Sequence, residues 1–387
     1  MSSYRIFIVG ILGALAVALL GVGGCGYNRV ALSGDLPEYK GSPQPYIASD
    51  AYKGEGPDTA AMLRHRVVLV GDAGAIRAGA PILPKIARWS EPLAERATVV
   101  YLGDNLYPDG LEGPDHQQGK EILDLQINAS SAQTILVPGN HDWAQGNALG
   151  WQYNERQEDY VKAAGARYAP EGGCPGPVVE VLSDNDEGPA VVLVILDTQW
   201  WLQRRGWQPY YIADEGWYDG CGAVDEDGVI DAFERALERH RDDHVLVLGH
   251  HPLASSSRHG GYKKQRGKDL LYWLIGRQQD IGNPRYNHLI KRLNAAMAAH
   301  PPLIYGAGHD HNLQIMRDGV SAARYTLVSG AGSAYKITSV THMPATVFAH
   351  GVPGFMVVDF TEDGQIWLQV IESAVAGPVY AMPLRDE

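Results

Sequence analysis

The chain is expected to fold as an α/β domain in four layers, α/β/β/α. Three features of its 387 residues predict this. Short apolar runs bounded by turn residues recur from Arg66 onward, as strands buried on both faces require. Five of these runs lead at once into a cluster of Asp, Asn or His. Beyond Tyr325 the chain changes from strands alternating with helices to successive strands, which suits two stacked sheets better than one doubly wound sheet.

The first residues read as a targeting segment. Arg5 precedes an apolar stretch from Ile6 to Leu20, followed by small residues and Cys25. Val22-Gly23-Gly24-Cys25 resembles a bacterial lipobox, in which the Cys is lipidated and becomes the new N-terminus. The alternative is an uncleaved anchor, since the 19 residues from Ile6 to Gly24 carry no charge and are close to the length that spans a bilayer. Both readings export the rest of the chain and keep it at a membrane, periplasmic or cell-surface. Gly26 to about Ala60 is rich in Gly, Pro, Ser, Asp and Tyr and has no apolar period. The expected division is therefore a signal peptide (1–24), a flexible tether (25–62) reaching on the order of 100 Å, a main domain (63–375) and a C-terminal tail (376–387). Apart from Cys25 only Cys174 and Cys221 remain, an even pair that an oxidising compartment would join; two free thiols are the alternative.

Composition narrows the chemistry. At 45% hydrophobic and 20% charged residues the chain has material for a large core. Its 45 glycines suit a fold whose loops approach ligands closely. A formal net charge of −13 argues against nonspecific nucleic-acid binding, which needs a basic surface.

Taken in order, Val67–Val70 leads into Gly71-Asp72 and Val99–Leu102 into Gly103-Asp104-Asn105. Ile135–Val137 leads into Pro138-Gly139-Asn140-His141-Asp142, and Val245–Leu248 into Gly249-His250-His251. Leu303–Tyr305 leads through three small residues into His309-Asp310-His311. Open α/β sheets bind ligands beyond the carboxyl ends of their strands, so these five clusters predict one shared site. Asp231–His240 and Asn287–Ala299 have helical spacing. Tyr325–Ser329, Phe355–Phe360 and Ile366–Ile371 read as strands, with Glu362-Asp363-Gly364 as a hairpin turn.

Carboxylates, imidazoles, Asn and Tyr on Gly-containing turns can ligate borderline-hard metal ions, and the chain has too few cysteines for a thiolate site. Here a resemblance becomes specific. Gly71-Asp72-Ala73-Gly74, Gly103-Asp104-Asn105-Leu106-Tyr107, Gly139-Asn140-His141-Asp142, Val247-Leu248-Gly249-His250 and Gly308-His309-Asp310-His311 resemble, in order, the motifs of calcineurin-like metallophosphoesterases. Tyr107, three residues after Asp104, looks like the purple acid phosphatase branch, in which this Tyr ligates ferric iron. His309–Gln314 and the stretch from Gly249 through His259-Gly260 resemble the small tartrate-resistant members.

The resemblance implies a four-layer metallophosphoesterase sandwich with a dinuclear metal site at its strand ends. It puts Asp72, Asp104, Tyr107 and His311 on a first ion. Asp104 would bridge to a second ion that also takes Asn140, His250 and His309. The ions would be Fe³⁺ with divalent Fe, Zn or Mn, since a phenolate needs a strongly Lewis-acidic partner. Such a pair, about 3.5–4 Å apart, binds the phosphoryl group and activates a hydroxide. His141 and His259 match histidines that bind phosphate or protonate the leaving group, and are the catalytic candidates.

Other residues read as structural. His251 is expected to pack beside the site rather than ligate. Asp142 would orient His141 or cap the next helix. Asp197-Thr198 reads as a turn at another strand end, and Asp225–Gly228 as a turn before a helix. Trp200, Trp201 and Trp207 read as packing before substrate rim. The basic stretch Lys263–Lys268 reads as a solvated loop before an anion clamp.

The function expected is acid phosphatase activity on a small phosphorylated substrate, outside the cytoplasm. A phosphodiesterase or pyrophosphate hydrolase is the alternative within the same chemistry. A noncatalytic phosphate- or metal-binding lipoprotein is the third reading, which the complete set of seven matching ligand positions argues against.

Overall fold

Parity along the strands decides the layering. A computed structural model describes residues 37–54, 56–57, 63–185, 188–203, 220–260, 279–317 and 319–385. Its strands are β1 (Tyr46–Ile47), β2 (Leu63–Val70), β3 (Ala97–Tyr101), β4 (Gln133–Leu136), β5 (Arg167–Tyr168), β6 (Val178–Asn185), β7 (Gly188–Ile195) and β8 (His244–Leu248). Then follow β9 (Ile304–Ala307), β10 (Leu313–Arg317), β11 (Tyr325–Ser329), β12 (Thr346–His350), β13 (Gly354–Thr361), β14 (Ile366–Glu372) and β15 (Pro378–Leu384). The helices are α1 (Leu83–Ser90), α2 (Gln117–Ile127), α3 (Gly150–Ala163), α4 (Glu226–Arg239) and α5 (Pro284–Met297).

The strands form two sheets, ordered β15-β14-β13-β2-β3-β4-β5 and β1-β12-β10-β11-β9-β8-β7-β6. Strands β2 to β5 run parallel, as do β7, β8, β9 and β11, and antiparallel strands complete each sheet. Alternate residues of a strand face opposite sides. Val67 and Leu69 of β2 therefore meet Val191, Leu193 and Ile195 of β7 between the sheets. Val68 and Val70 face outward onto Ile86 and Trp89 of α1. On the other sheet, Val192, Val194, Val245 and Val247 face Phe233 of α4 and Leu289 and Leu293 of α5. Apolar burial on both faces of both sheets gives the α/β/β/α order the sequence predicts.

Helix α4 begins five residues before its expected start. Asp225 caps it by accepting from Gly228 N at 2.7 Å, so the Asp225–Gly228 turn is the helix N-terminus itself. Helix α5 likewise starts early, at Pro284, with Asn283 as cap. The turn from β13 to β14 falls where expected, with Gly364 in the left-handed region.

Two boundaries need correction. Residues within the stretch expected as a flexible tether (25–62) are docked: β1 pairs with β12, and Tyr39 N donates to Val340 O. Tyr46 stacks on His342 with ring centroids 4.1 Å apart. Strand β12 offers an unpaired edge that the segment fills, which periodicity in a two-residue strand cannot signal. The expected C-terminal tail (376–387) contains β15, whose Tyr380, Met382 and Leu384 are buried against β14. Trp200 and Trp201 are buried in the core and are packing residues. Cys174 is joined to Cys221 by a disulfide with Cα atoms 5.5 Å apart. Cys25, the apolar stretch before it, Trp207 and Lys263–Lys268 lie outside the described residues. No described helix is long and apolar enough to cross a membrane.

Candidate metal centre

The strand ends of both sheets converge. Asp72 follows β2, Asp104 and Tyr107 follow β3, and Asn140 and His141 follow β4; His250 follows β8, and His309 and His311 follow β9. Three of these residues, Asp72, Asp104 and His309, hold positive φ angles of 60°, 54° and 69°. Non-glycine residues avoid this region, at a cost of about 1–2 kcal/mol each. Each follows a glycine, and close backbone packing explains why. A Cβ on Gly308 would stand 2.6 Å from the Asp72 carboxylate and 3.1 Å from Leu102 O.

The donor atoms gather in two groups. In the first, Tyr107 Oη donates to Asp72 Oδ1 at 3.0 Å and lies 3.1 Å from His311 Nε2, itself 3.2 Å from Asp72 Oδ1. Asp104 lies within the same group, its ligand atom within 4.8 Å of those of Asp72 and His311. In the second, Asn140 Oδ1 is 3.1 Å from His250 Nε2 and 3.0 Å from His309 Nδ1. His250 Nε2 is also 3.2 Å from His309 Nδ1 and 3.3 Å from Asp104 Oδ1. Asp104 thus borders both groups, and its Oδ1 accepts from His141 N at 2.9 Å.

Tautomers decide whether these atoms fit a cation. His250 gives its Nδ1–H to Leu102 O at 2.8 Å, His309 its Nε2–H to Gln279 O at 2.8 Å, and His311 its Nδ1–H to Tyr335 O at 2.9 Å. In each neutral ring the other nitrogen then carries only a lone pair. The lone pairs of His250 and His309 face each other and the Asn140 carbonyl oxygen, with no proton between them. His311 Nε2 faces the Asp72 carboxylate, a place for either a proton or a cation between them. Two ligands about 2.1 Å from an ion and at right angles would be about 3.0 Å apart, close to these separations. The donor set fits two metal ions.

The local field agrees. Burial alone would lower His250 and His311, yet carboxylates outweigh it. Asp104 and Asp72 raise His250, and Asp72 chiefly raises His311 to about 9. Burial, then the neighbouring His259, His251 and His250, push His309 well below its ordinary value. Burial, with Asp72 and Asp104, pushes the Tyr107 phenol well up. A cation bound here reverses that last balance and favours phenolate.

His141 and His259 flank the groups and stay partly open, with side chains 22% and 17% exposed. The His141 ring lies 4.5 Å from that of Tyr107, and the His259 ring 4.2 Å from that of His309. His251 falls within 4.8 Å of His250 and His309, but both its ring nitrogens are taken, by Thr198 Oγ1 at 2.8 Å and Gln279 Oε1 at 2.7 Å. Those hydrogen bonds hold it beside the second group. Asp142 neither orients His141 nor caps a helix. Its carboxylate accepts from the backbone nitrogens of Asn105, Leu106 and Gly139 and from Gln157 Nε2, binding the loops after β3 and β4 together. Burial, then Asp104, push it up to about 6. Asp197 holds its turn by accepting from Gln199 N and Trp200 N, and also takes Trp143 Nε1–H at 2.8 Å.

Sequence reasoning missed Gln279 and Asp280, which touch three of the histidines and carry no motif. The Ser255–Ser257 loop lies within the Gly249–Gly260 stretch that carries the resemblance, and Gln314 and Asp310 hold it through hydrogen bonds to Ser255 and Ser256.

Comparisons with known proteins bear on the family and the fold. The family model described as calcineurin-like phosphoesterase matches residues 65–313. Among solved structures, GAP50, the anchor in the inner membrane complex of Plasmodium, superposes with a TM-score of 0.54 at 17% identity. The alignment covers 84% of this chain and 90% of that one. The purple acid phosphatase PPD1 of yellow lupin seeds gives 0.47 at 17% identity over 82% of this chain and 53% of its own. PhoD gives 0.49 at 9% identity, over 84% and 73%. No curated protein sequence matches the chain.

Proposed function

The chain belongs to the calcineurin-like phosphoesterase family, and from that premise we propose that this hydrolase is a metal-dependent phosphomonoesterase of acid phosphatase type. The observation that carries the proposal is the pair of lone-pair groups meeting at Asp104. Asp72, Asp104, Tyr107 and His311 would hold one ion, and Asp104, Asn140, His250 and His309 the other. Bound there, the two ions supply positive charge for the phosphoryl oxygens and acidify water for attack on phosphorus. Tyr107 in the first group favours Fe³⁺ there, with divalent Fe, Zn or Mn in the second.

The remaining work falls to the chain's own side chains. His141 beside Tyr107 donates to the phosphoryl oxygens, and His259 beside His309 protonates the departing oxygen. Asp104 Oδ1, accepting from His141 N, keeps His141 in place as it does so. The Cys174–Cys221 disulfide supports an oxidising compartment, where a lipid on Cys25 or an anchor helix would hold the enzyme at a membrane.

A panel of monoesters, diesters and pyrophosphates, assayed with metal analysis on the same sample, tests the reading. Monoesters should turn over fastest, with two metal ions per chain and a visible absorption band that Tyr107→Phe abolishes. Preference for a diester or pyrophosphate would reassign the substrate class. A metal-loaded protein that turns over none of them would overturn the assignment.

A further inference from the structure

Gln279, Asp280 and Ile281 run beside the site, and four of their hydrogen bonds go to histidines. Gln279 O accepts from His309 Nε2, and Gln279 Oε1 accepts from His251 Nε2. Ile281 N donates to His259 O at 3.0 Å. Asp280 Oδ1 lies 2.7 Å from His259 Nδ1. A second carboxylate holds the same residue by its backbone, Asp310 Oδ1 accepting from His259 N at 3.2 Å. The His259 ring is thereby fixed at 36° to that of His309, a member of the second metal group.

An ionised carboxylate only accepts hydrogen bonds, so its partner nitrogen must be the one that carries a proton. Asp280 therefore commits Nδ1 of His259 as N–H. The opposite nitrogen, Nε2, is the only ring atom left to exchange a proton with a bound ester.

We propose that Asp280 is the positioning residue for proton delivery: it holds His259 in the tautomer and orientation that present Nε2–H to the leaving oxygen of the ester. The proposal rests on the reading of His259 as the leaving-group donor. As the P–O bond breaks, its electron pair stays on the departing oxygen. The proton on Nε2 passes to that oxygen, releasing an alcohol. The imidazole is left neutral, with its Nδ1–H still donated to Asp280. A group that assists only leaving-group departure matters most when the leaving oxygen is strongly basic.

The test compares an alkyl phosphate, which needs that proton, with 2,4-dinitrophenyl phosphate, which does not, using the metal-loaded full chain. Asp280→Asn should lower kcat for the alkyl ester by roughly tenfold or more. It should leave the dinitrophenyl ester within about twofold, with KM and metal content unchanged. Asp280→Glu should restore much of the loss. His259→Ala should show the same selectivity, and the double variant should lose no more than His259→Ala alone. If His259→Ala is selective for the alkyl ester but Asp280→Asn slows both esters equally, or neither, Asp280 has no part in proton delivery. If His259→Ala itself shows no such selectivity, the donor role of His259 fails, and the role of Asp280 with it.

Discussion

At the scale of single residues, the site is built where backbone cannot yield. Gly139 shows this most directly. A Cβ there would overlap the backbone nitrogen and the carboxylate of Asp104, neither of which is the free end of a flexible side chain. Gly139→Ala should therefore cost about 2–3 kcal/mol of stability and most of the bound metal, measured by thermal unfolding and metal analysis. An Ala variant with full metal content and an unshifted unfolding midpoint would contradict the packing argument. Five of the ligand candidates were legible in the sequence because each follows an apolar run and a glycine, and Tyr107 and His311 lie two or three residues beyond such a position. Gln279 and Asp280 were not, because no motif marks them and their role depends on their meeting His259 and His309 in the fold.

At the scale of elements, adjacent strands couple through side chains as well as ladders. His65 on β2 is buried against Thr98 on β3, its Nε2 3.1 Å from Thr98 Oγ1. Burial, with Arg64 and Arg96 nearby, lowers it from 6.5 to about 4. The unfolded chain therefore takes up this proton below pH 6.5 while the folded chain refuses it until about pH 4. Stability from this pair is fully present above pH 6.5 and is lost as pH falls through that window, by up to roughly 3 kcal/mol. His65→Gln should flatten this part of the pH–stability curve in denaturant titrations; an unchanged slope would show that the proton goes elsewhere. Strands such as β7 and β8 were readable because both faces are apolar. Helices α1 to α3 were not, since their buried positions are few and α3 opens on a glycine in a polar stretch.

At the scale of the whole molecule, the disulfide ties the loop after β5 to the segment leading into α4. It links residues 47 apart in sequence. Closing a loop of that length restricts the unfolded chain by about 4 kcal/mol in the chain-entropy account. Cys174→Ser with Cys221→Ser should lower unfolding free energy by roughly 2–4 kcal/mol in urea titrations. A loss near zero would mean the bond only decorates a region that other contacts already hold. The layered plan itself was legible from alternation and order of elements. The docking of β1 and β15 was not, since short edge strands find their partners only after the sheets exist.

The two donor groups each mix residues from both sheets, and their earliest and latest members are far apart along the chain. His309 N donates to Asp72 Oδ2 across 237 residues. Neither half of the molecule can assemble a complete donor set alone, so high-affinity metal capture waits for the longest loop closures of the fold. Loading then works as a checkpoint: an ion held at full strength certifies that the chain has finished folding, and a partly folded chain has nothing to capture it with.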